Sequence, residues 1–314
     1  MSFKDRNIIR QISQIFNLVK KNNRIKIIGA VILLIVLSQW LMIKLVYAHK
    51  LPLSSSIFFA QVYNLKAGTI EEQSGELDIY LKDFLINKRF ADKLLKATPT
   101  IEDSVKDTDA SEEELSGLVW SKLVKLAWLN KLAKENNIEV SSEDIDDYIN
   151  AVGGVDNVET MLKNQGTSID EYKYFLIEPD ILENKVYNHL ITSFTDQKGV
   201  QKIQEVYSLL EAENGQNWDE VVKQYGENGS LSDNSFWLSE EELVDIYEPI
   251  KDIEAGEFSK IVQAPDGYII WHLDSISSDE TKVMREVRGL FVYAQSIDDF
   301  FDAYLDSVSI KKIY

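Results

Sequence analysis

The sequence predicts a mainly α-helical protein that begins with a transmembrane helix and ends in an α+β part with an antiparallel sheet flanked by helices. Three observations point there. Residues 27–47 form one apolar run. Apolar residues then recur at helical spacing through most of residues 76–193. Near the end of the chain, Phe258–Gln263 and Tyr268–Leu273 read as short strands about an Ala264-Pro265-Asp266-Gly267 turn, where Pro fixes φ and Gly admits φ > 0. The length of 314 residues allows two domains of ~150 residues.

The N-terminus is read first. Residues 1–26 carry seven Lys/Arg and one acid, so the net charge of −19 conceals a basic head of +6 and a remainder of −25. Ile8, Ile12, Ile15, Phe16 and Val19 fall on one helical face among these basic residues, a pattern suited to a short helix on the inner leaflet or to a cytoplasmic protein contact. From Ile27 to Tyr47 the run reaches ~30 Å at ~1.5 Å per residue, the thickness of a bilayer core. Lys20, Lys21, Arg24 and Lys26 precede it, and the five residues after Lys50 are uncharged. The positive-inside rule therefore puts the N-terminus in the cytoplasm and residues 50–314 outside. A signal peptide cut after Val46-Tyr47-Ala48 is the alternative; the long basic head and long apolar run favour an anchor.

Composition excludes several functions. An acidic body argues against nucleic acid as a partner. The absence of cysteine removes disulfides, thiol catalysis, Cys-ligated zinc and a lipid-modified cysteine anchor. There is no phosphate-binding glycine loop, no G-x-S-x-G and no His/acid pair at metal spacing. The acidic clusters at 141–147, 239–245 and 297–302 lack calcium-loop spacing and read as helix starts. No cofactor or metal is expected. Asn228-Gly229-Ser230 matches a glycosylation sequon, a triplet that arises often by chance.

Residues 48–75 read as a linker. Leu77, Tyr80, Leu81, Phe84 and Leu85 open a helical pattern, residues 97–110 make a Pro-, Thr- and Asp-rich loop, and Leu118 to Leu132 continue the helices. Ser141 opens a helix that Gly153-Gly154 stops. Ser168-Ile169-Asp170-Glu171 has capping-box form, and Pro179 kinks or breaks the helix that follows.

Within residues 112–193, the stretch "LAKENNIEVSSEDIDDYINAVGG" and the later "LKNQGTSIDEY" resemble the helical chaperone domain of SurA/PrsA-type extracytoplasmic foldases. Residues 196–314 resemble the parvulin-type (PpiC-like) prolyl isomerase domain of the same proteins, through "VQKIQEVYSLLEAENGQNWDEVVKQYGENG" and the final hairpin "GEFSKIVQAPDGYII". The family's first strand, of the form A-R-H-I-L-V, has no match ahead of these helices. Arg288-Gly289-Leu290-Phe291-Val292 matches it at the far end, so Arg285–Tyr293 is expected to supply that strand from a permuted position beside Tyr268–Leu273, joined to it across 274–284 as a loose antiparallel hairpin.

The resemblance implies a substrate proline surrounded by two histidines and an Asp or Cys. Those positions correspond to Gly289, Ile269 and Asn228. His272 lies one residue out of phase with 269 and is expected on the opposite face of its strand. Phe236, Trp237, Tyr247, Ile250 and Phe258 are the candidate peptide groove. The expected function is a membrane-anchored chaperone whose partners are the lipid bilayer and unfolded or exported polypeptides, with weak or absent isomerase activity. An active isomerase with an altered site and a structural membrane-complex partner are the alternatives.

Overall fold

The computed structural model describes residues 23–97, 111–193, 197–228, 231, 234–278 and 282–314. The expected inner-leaflet helix at 8–19, the loop at 98–110 and two residues of the sequon lie outside these. The protein is α+β, with two antiparallel sheets among the described residues. The chain divides into two compact units. One comprises residues up to Ala127, with Asn164–Thr167 and Val308–Tyr314; the other comprises Trp128–Lys163 and Ser168–Ser307. The division therefore falls inside a helix rather than near residue 195, and the last residues belong with the first unit.

The first unit opens with α1 (Asn23–Tyr47) and α2 (Leu53–Val62). Ile32, Leu34, Ile35, Val36, Leu37, Trp40 and Leu41 of α1 are all exposed. Among the described residues no helix is long and apolar enough to cross a membrane; the side chains of residues 23–31 and 33 lie outside that set. The expected linker is ordered structure. After α2 come β1 (Lys66–Glu72) and β2 (Gly75–Tyr80), followed by α3 (Leu81–Ala97) and the first half of α4 (Glu112–Asn136). Leu77 and Tyr80 thus sit in a strand, although their spacing to Leu81 and Phe84 fits a helix. The sheet order is β2-β1-β7, where β7 (Ser309–Lys312) pairs antiparallel with Gly68–Glu71. Its middle strand buries Ala67, Thr69 and Ile70.

In the second unit, α5 (Ser142–Ala151) and α7 (Ile169–Tyr172) each start with a complete capping box, Ser141 with Asp144 and Ser168 with Glu171. Between them lies α6 (Val155–Asn164). A π-helical turn, Lys173–Ile177, joins α7 to α8 (Glu178–Thr192). Pro179 lies in the first turn of α8. It lacks an N–H and its ring would crowd the carbonyl one turn back, and the widened turn just before it absorbs the mismatch. Ile149, Val158, Leu162, Ile177 and Ile181 form the core of this helical part.

The four-stranded sheet follows α9 (Gln197–Ala212) and α10 (Trp218–Tyr225). It contains β3 (Phe236–Ser239), β4 (Val262–Ala264), β5 (Gly267–Ser278) and β6 (Val283–Tyr293), in the order β3-β6-β5-β4, and α11 (Ile297–Ser307) comes after it. The antiparallel hairpin expected across 274–284 is present, and its strands reach Ser278 and Val283. The β5–β6 pairing runs from Gly267↔Tyr293 to Ser278↔Val283, broken by one irregularity between Leu273 and Ser275. The strand expected at Phe258–Gln263 shrinks to β4 and a single bridge from Phe258 to His272. Gly267 does not serve the turn through a positive φ. A Cβ there would run into the Val292 carbonyl, so the glycine permits close approach of β6.

Alternation along β5 and β6 separates two cores. Tyr268, Ile270, Leu290 and Val292 face α9 and α10, against Ile203, Val206, Leu210 and Trp218. Ile269, Trp271, Leu273, Val287 and Phe291 face the other way, against Leu238, Leu243 and Ile250. The last two belong to or adjoin a 3-10 segment, Asp245–Asp252.

Candidate functional site

The second of these faces holds Ile269 and Gly289, two of the positions singled out in the sequence. Trp271 lies opposite Gly289 and Ile269 opposite Phe291 in the β5–β6 register. Trp271 is 0 % exposed and Ile269 1 %. A Cβ on Gly289 would lie 2.7 Å from Trp271 Cζ3 and 2.9 Å from Ile269 Cδ1. The absence of a side chain at 289 is therefore what lets the indole lie over the strand. The indole is pinned: Nε1 donates to the Ile246 carbonyl at 2.8 Å, and the Trp271 backbone N–H donates to Ser259 Oγ at 2.9 Å. Ser259 N–H returns a bond to the Trp271 carbonyl at 2.7 Å. Asn228 follows Glu227, whose N–H bonds the Phe291 carbonyl and whose carboxylate accepts from Tyr293 N–H at 2.6 Å. The structure thus brings Ile269 and Gly289 together, and the residue before Asn228 is tied to the end of β6.

The five groove candidates divide. Phe236, Tyr247 and Ile250 gather with Trp271: ring centroids are 6.3 Å apart for Phe236–Tyr247, 6.0 Å for Phe236–Trp271 and 5.0 Å for Tyr247–Trp271. Ile250 is fully buried, so it is core rather than lining. Trp237 projects from the other side of β3 and is 44 % exposed. Phe258 packs on the helical face, 5.7 Å from Tyr207.

His272 lies on the face opposite Ile269, as alternation requires. Its ring stacks on Trp218 at 4.8 Å and its Nδ1 is 2.8 Å from Asp274 Oδ1. Arg288 grips the same carboxylate through Nε at 2.8 Å and Nη2 at 2.9 Å, and donates to Asp219 from Nη1 at 2.7 Å. Burial holds the His272 imidazole below the usual histidine range. Asp274 opposes this, but its charge is already shared with Arg288. The hydrogen bonds to Asp274 hold the guanidinium firmly protonated. Asp274 follows His272 by two residues and Arg288 is the register partner of His272, so all three meet on one face; sequence reading weighed His272 only against position 269 and missed the network. Of the other histidines, His189 is within 3.3 Å of Ser193 Oγ on α8, and His49 follows α1 in the first unit. Among the described residues no group of three or more His, Asp or Glu gathers as a metal site.

No family model matches the chain, and no curated protein or solved structure matches it either.

Proposed function

We propose that this chain is a membrane-anchored extracytoplasmic chaperone of the SurA/PrsA kind. Its parvulin-like domain is permuted and binds unfolded or newly exported polypeptides with little or no prolyl isomerase activity. The observation that carries this reading is the buried Trp271–Ile269–Gly289 contact. An X-Pro flip crosses ~18–20 kcal/mol of amide resonance. The catalyst must favour the twisted amide with shape and placed donors. At the corresponding positions the chain offers an isoleucine, a glycine and an indole whose one donor is already spent on Ile246. Losing two charge-assisted contacts at ~1.5–3 kcal/mol each lowers the rate by ~10²–10⁴.

The pairing of β6 with β5, between β3 and β5 in the sheet, supports the permuted reading. In the helical part, Val152, Val155, Met161, Tyr174 and Leu176 are exposed and supply apolar surface for an unfolded chain to cover. The run at 27–47 and the exposed apolar side chains of α1 support the anchor.

Two assays on one preparation test the function. The full chain in mild detergent is expected to suppress aggregation of a denatured client while leaving X-Pro isomerisation of a test peptide near its uncatalysed rate. Turnover comparable to an intact parvulin makes the protein an isomerase with an altered site. Loss of both activities leaves the structural-partner reading. Protease added to spheroplasts is expected to digest residues 50–314, and their full protection refutes the topology.

A further inference from the structure

Beyond α1 the first unit holds an open cleft of about 450 Å³, within the ~300–1,000 Å³ of small-molecule sites. Leu51, Leu53, Leu85 and Leu115 give it apolar walls, and groups of both charges line it: Lys88 and Arg89, Asp92 and Glu112, with His49 and Tyr314 beside them.

Two features set the cleft apart. His49 has φ 55°, in the left-handed region. It occupies the position after the helix cap where glycine is usual: its N–H donates to the Val46 carbonyl at 3.1 Å, and Lys50 N–H donates to the Leu45 carbonyl at 3.0 Å, the paired bonds of a Schellman motif. Glycine would end α1 with less strain. The histidine instead stacks on Tyr314 at 4.3 Å, with Nδ1 3.0 Å from the Tyr314 hydroxyl, and its Nε2 has no hydrogen-bond partner among the described residues. The second feature is Arg89, which makes no ion pair or hydrogen bond among the described residues although two carboxylates line the same cleft. Asp92 is taken by Lys96 at 2.7 Å and Glu112 by Lys88 at 2.8 Å.

We propose that this cleft binds the headgroup of an amine-bearing zwitterionic phospholipid. Arg89 and His49 take the phosphate, and the leucine walls take the start of the acyl chains. The ammonium takes Asp92 Oδ1 and Glu112 Oε2, the oxygens not bonded to Lys96 and Lys88. Asp92 and Glu112 would repel a plain anion, whereas a group with both charges finds a partner for each. The same head chemistry is offered by a soluble phosphoamine. The lipid is preferred because of the apolar walls and because the cleft begins where α1 ends. Only this choice of source rests on the membrane reading of α1.

The test uses the full chain in non-ionic detergent, titrated calorimetrically with dihexanoyl phosphatidylethanolamine, dihexanoyl phosphatidylcholine and free phosphoethanolamine. The first is expected to bind saturably. The choline lipid should bind about tenfold more weakly, because a trimethylammonium cannot donate to a carboxylate. The free head should lose about tenfold for want of contact with the leucines. Arg89→Ala, at an exposed position, should weaken the ethanolamine lipid about tenfold with its thermal transition unchanged. Asp92→Asn with Glu112→Gln should erase the preference for ethanolamine over choline. Absence of saturable binding, equal binding of all three ligands, or an Arg89→Ala variant of unchanged affinity overturns the proposal. Equal affinity for lipid and free head overturns the lipid assignment in favour of a soluble phosphoamine. The assay needs no bilayer, so a failure of lipid binding is distinguishable from a failure of membrane anchoring, which fractionation of cells reads separately.

Discussion

Adding a single methyl group at Gly289 probes how tightly the Trp271 face is packed. In Gly289→Ala the new Cβ would lie 2.7 Å from Trp271 Cζ3 and 2.9 Å from Ile269 Cδ1. Carbon atoms rest ~3.5–4.0 Å apart, so roughly 1 Å must open on two sides. The indole has little room to retreat. Its Nε1 is bonded to Ile246, its backbone to Ser259, and Phe236 and Tyr247 pack against it. Overpacking of this kind costs ~1–3 kcal/mol. For a unit of this size each kcal/mol moves Tm by ~2–4 °C, so a fall of ~2–12 °C is expected. The assay is thermal unfolding of the full chain in detergent, followed by tryptophan fluorescence and near-UV circular dichroism. Trp271→Phe removes the clashing atoms. The double variant should therefore be less destabilised than the sum of the singles, with a coupling of ~0.5–3 kcal/mol. Placing the histidines that the proposed parvulin reading calls for, Ile269→His with Gly289→His, should lower Tm further rather than create an isomerase. An unchanged Tm for Gly289→Ala, or strict additivity in the cycle, refutes the packing account.

Three further outcomes are expected. Because burial lowers the His272 pKa, the unfolded chain takes up a proton first as pH falls below ~6.5. The stability of the second unit should therefore decline toward acid pH, and His272→Gln should flatten the dependence of Tm on pH between pH 7 and 5; an unaltered slope counts against this. Asp144 is held at about 2, first by Lys185 and then by Ser141, so its contribution is present above the usual carboxylate pKa and lost as pH falls through about 2. Lys185→Met should raise the Asp144 value in an NMR titration, and a value that stays at about 2 rules out Lys185 as the main cause. Deleting residues 308–314 removes the partner of Gly68–Glu71. Amide protection should then drop in β1 and persist in β5 and β6, and undiminished β1 protection would show that β7 does not stabilise that sheet.

Local chemistry was readable in the chain, and chemistry that depends on distant residues was not. Ser141 and Ser168 cap helices because each has an acid three residues on, a relation contained in four residues. The pairing of Tyr268–Leu273 with Arg285–Tyr293 was also readable, since both are β-rich runs close together in sequence. The first sheet was not. Residues 66–80 form strands whose third partner lies 240 residues away, where Lys311 pairs with Glu71, and without that partner Leu77 and Tyr80 read as helix. Alternation put His272 on the correct face. The same alternation puts Asp274 beside His272, and the β5–β6 register sets Arg288 across from His272, so the network became legible only once that register was known.

On the proposed parvulin reading, the absence of histidine at 269 and 289 has two physical meanings that the sequence alone does not distinguish. A pocket stripped of its polar groups can stay open and wet, and other groups can then take over its chemistry. It can also fill, and then the neighbouring side chains become too large to allow a reversal. The size of Trp271 favours the second. A tryptophan directly across from a glycine, on the same face as Ile269, is a pair of volumes that fit only together. Each change alone is costly, the glycine leaving a gap and the tryptophan a clash. Under the chaperone reading, this face serves as a rigid core, and clients must be met by side chains that remain exposed, such as Trp237 on the outer side of β3. Isomerisation and client binding then depend on different residues, so Trp237→Ala should weaken aggregation suppression without altering Tm, while Gly289→Ala lowers Tm. If Trp237→Ala leaves suppression unchanged, that surface is not where clients bind.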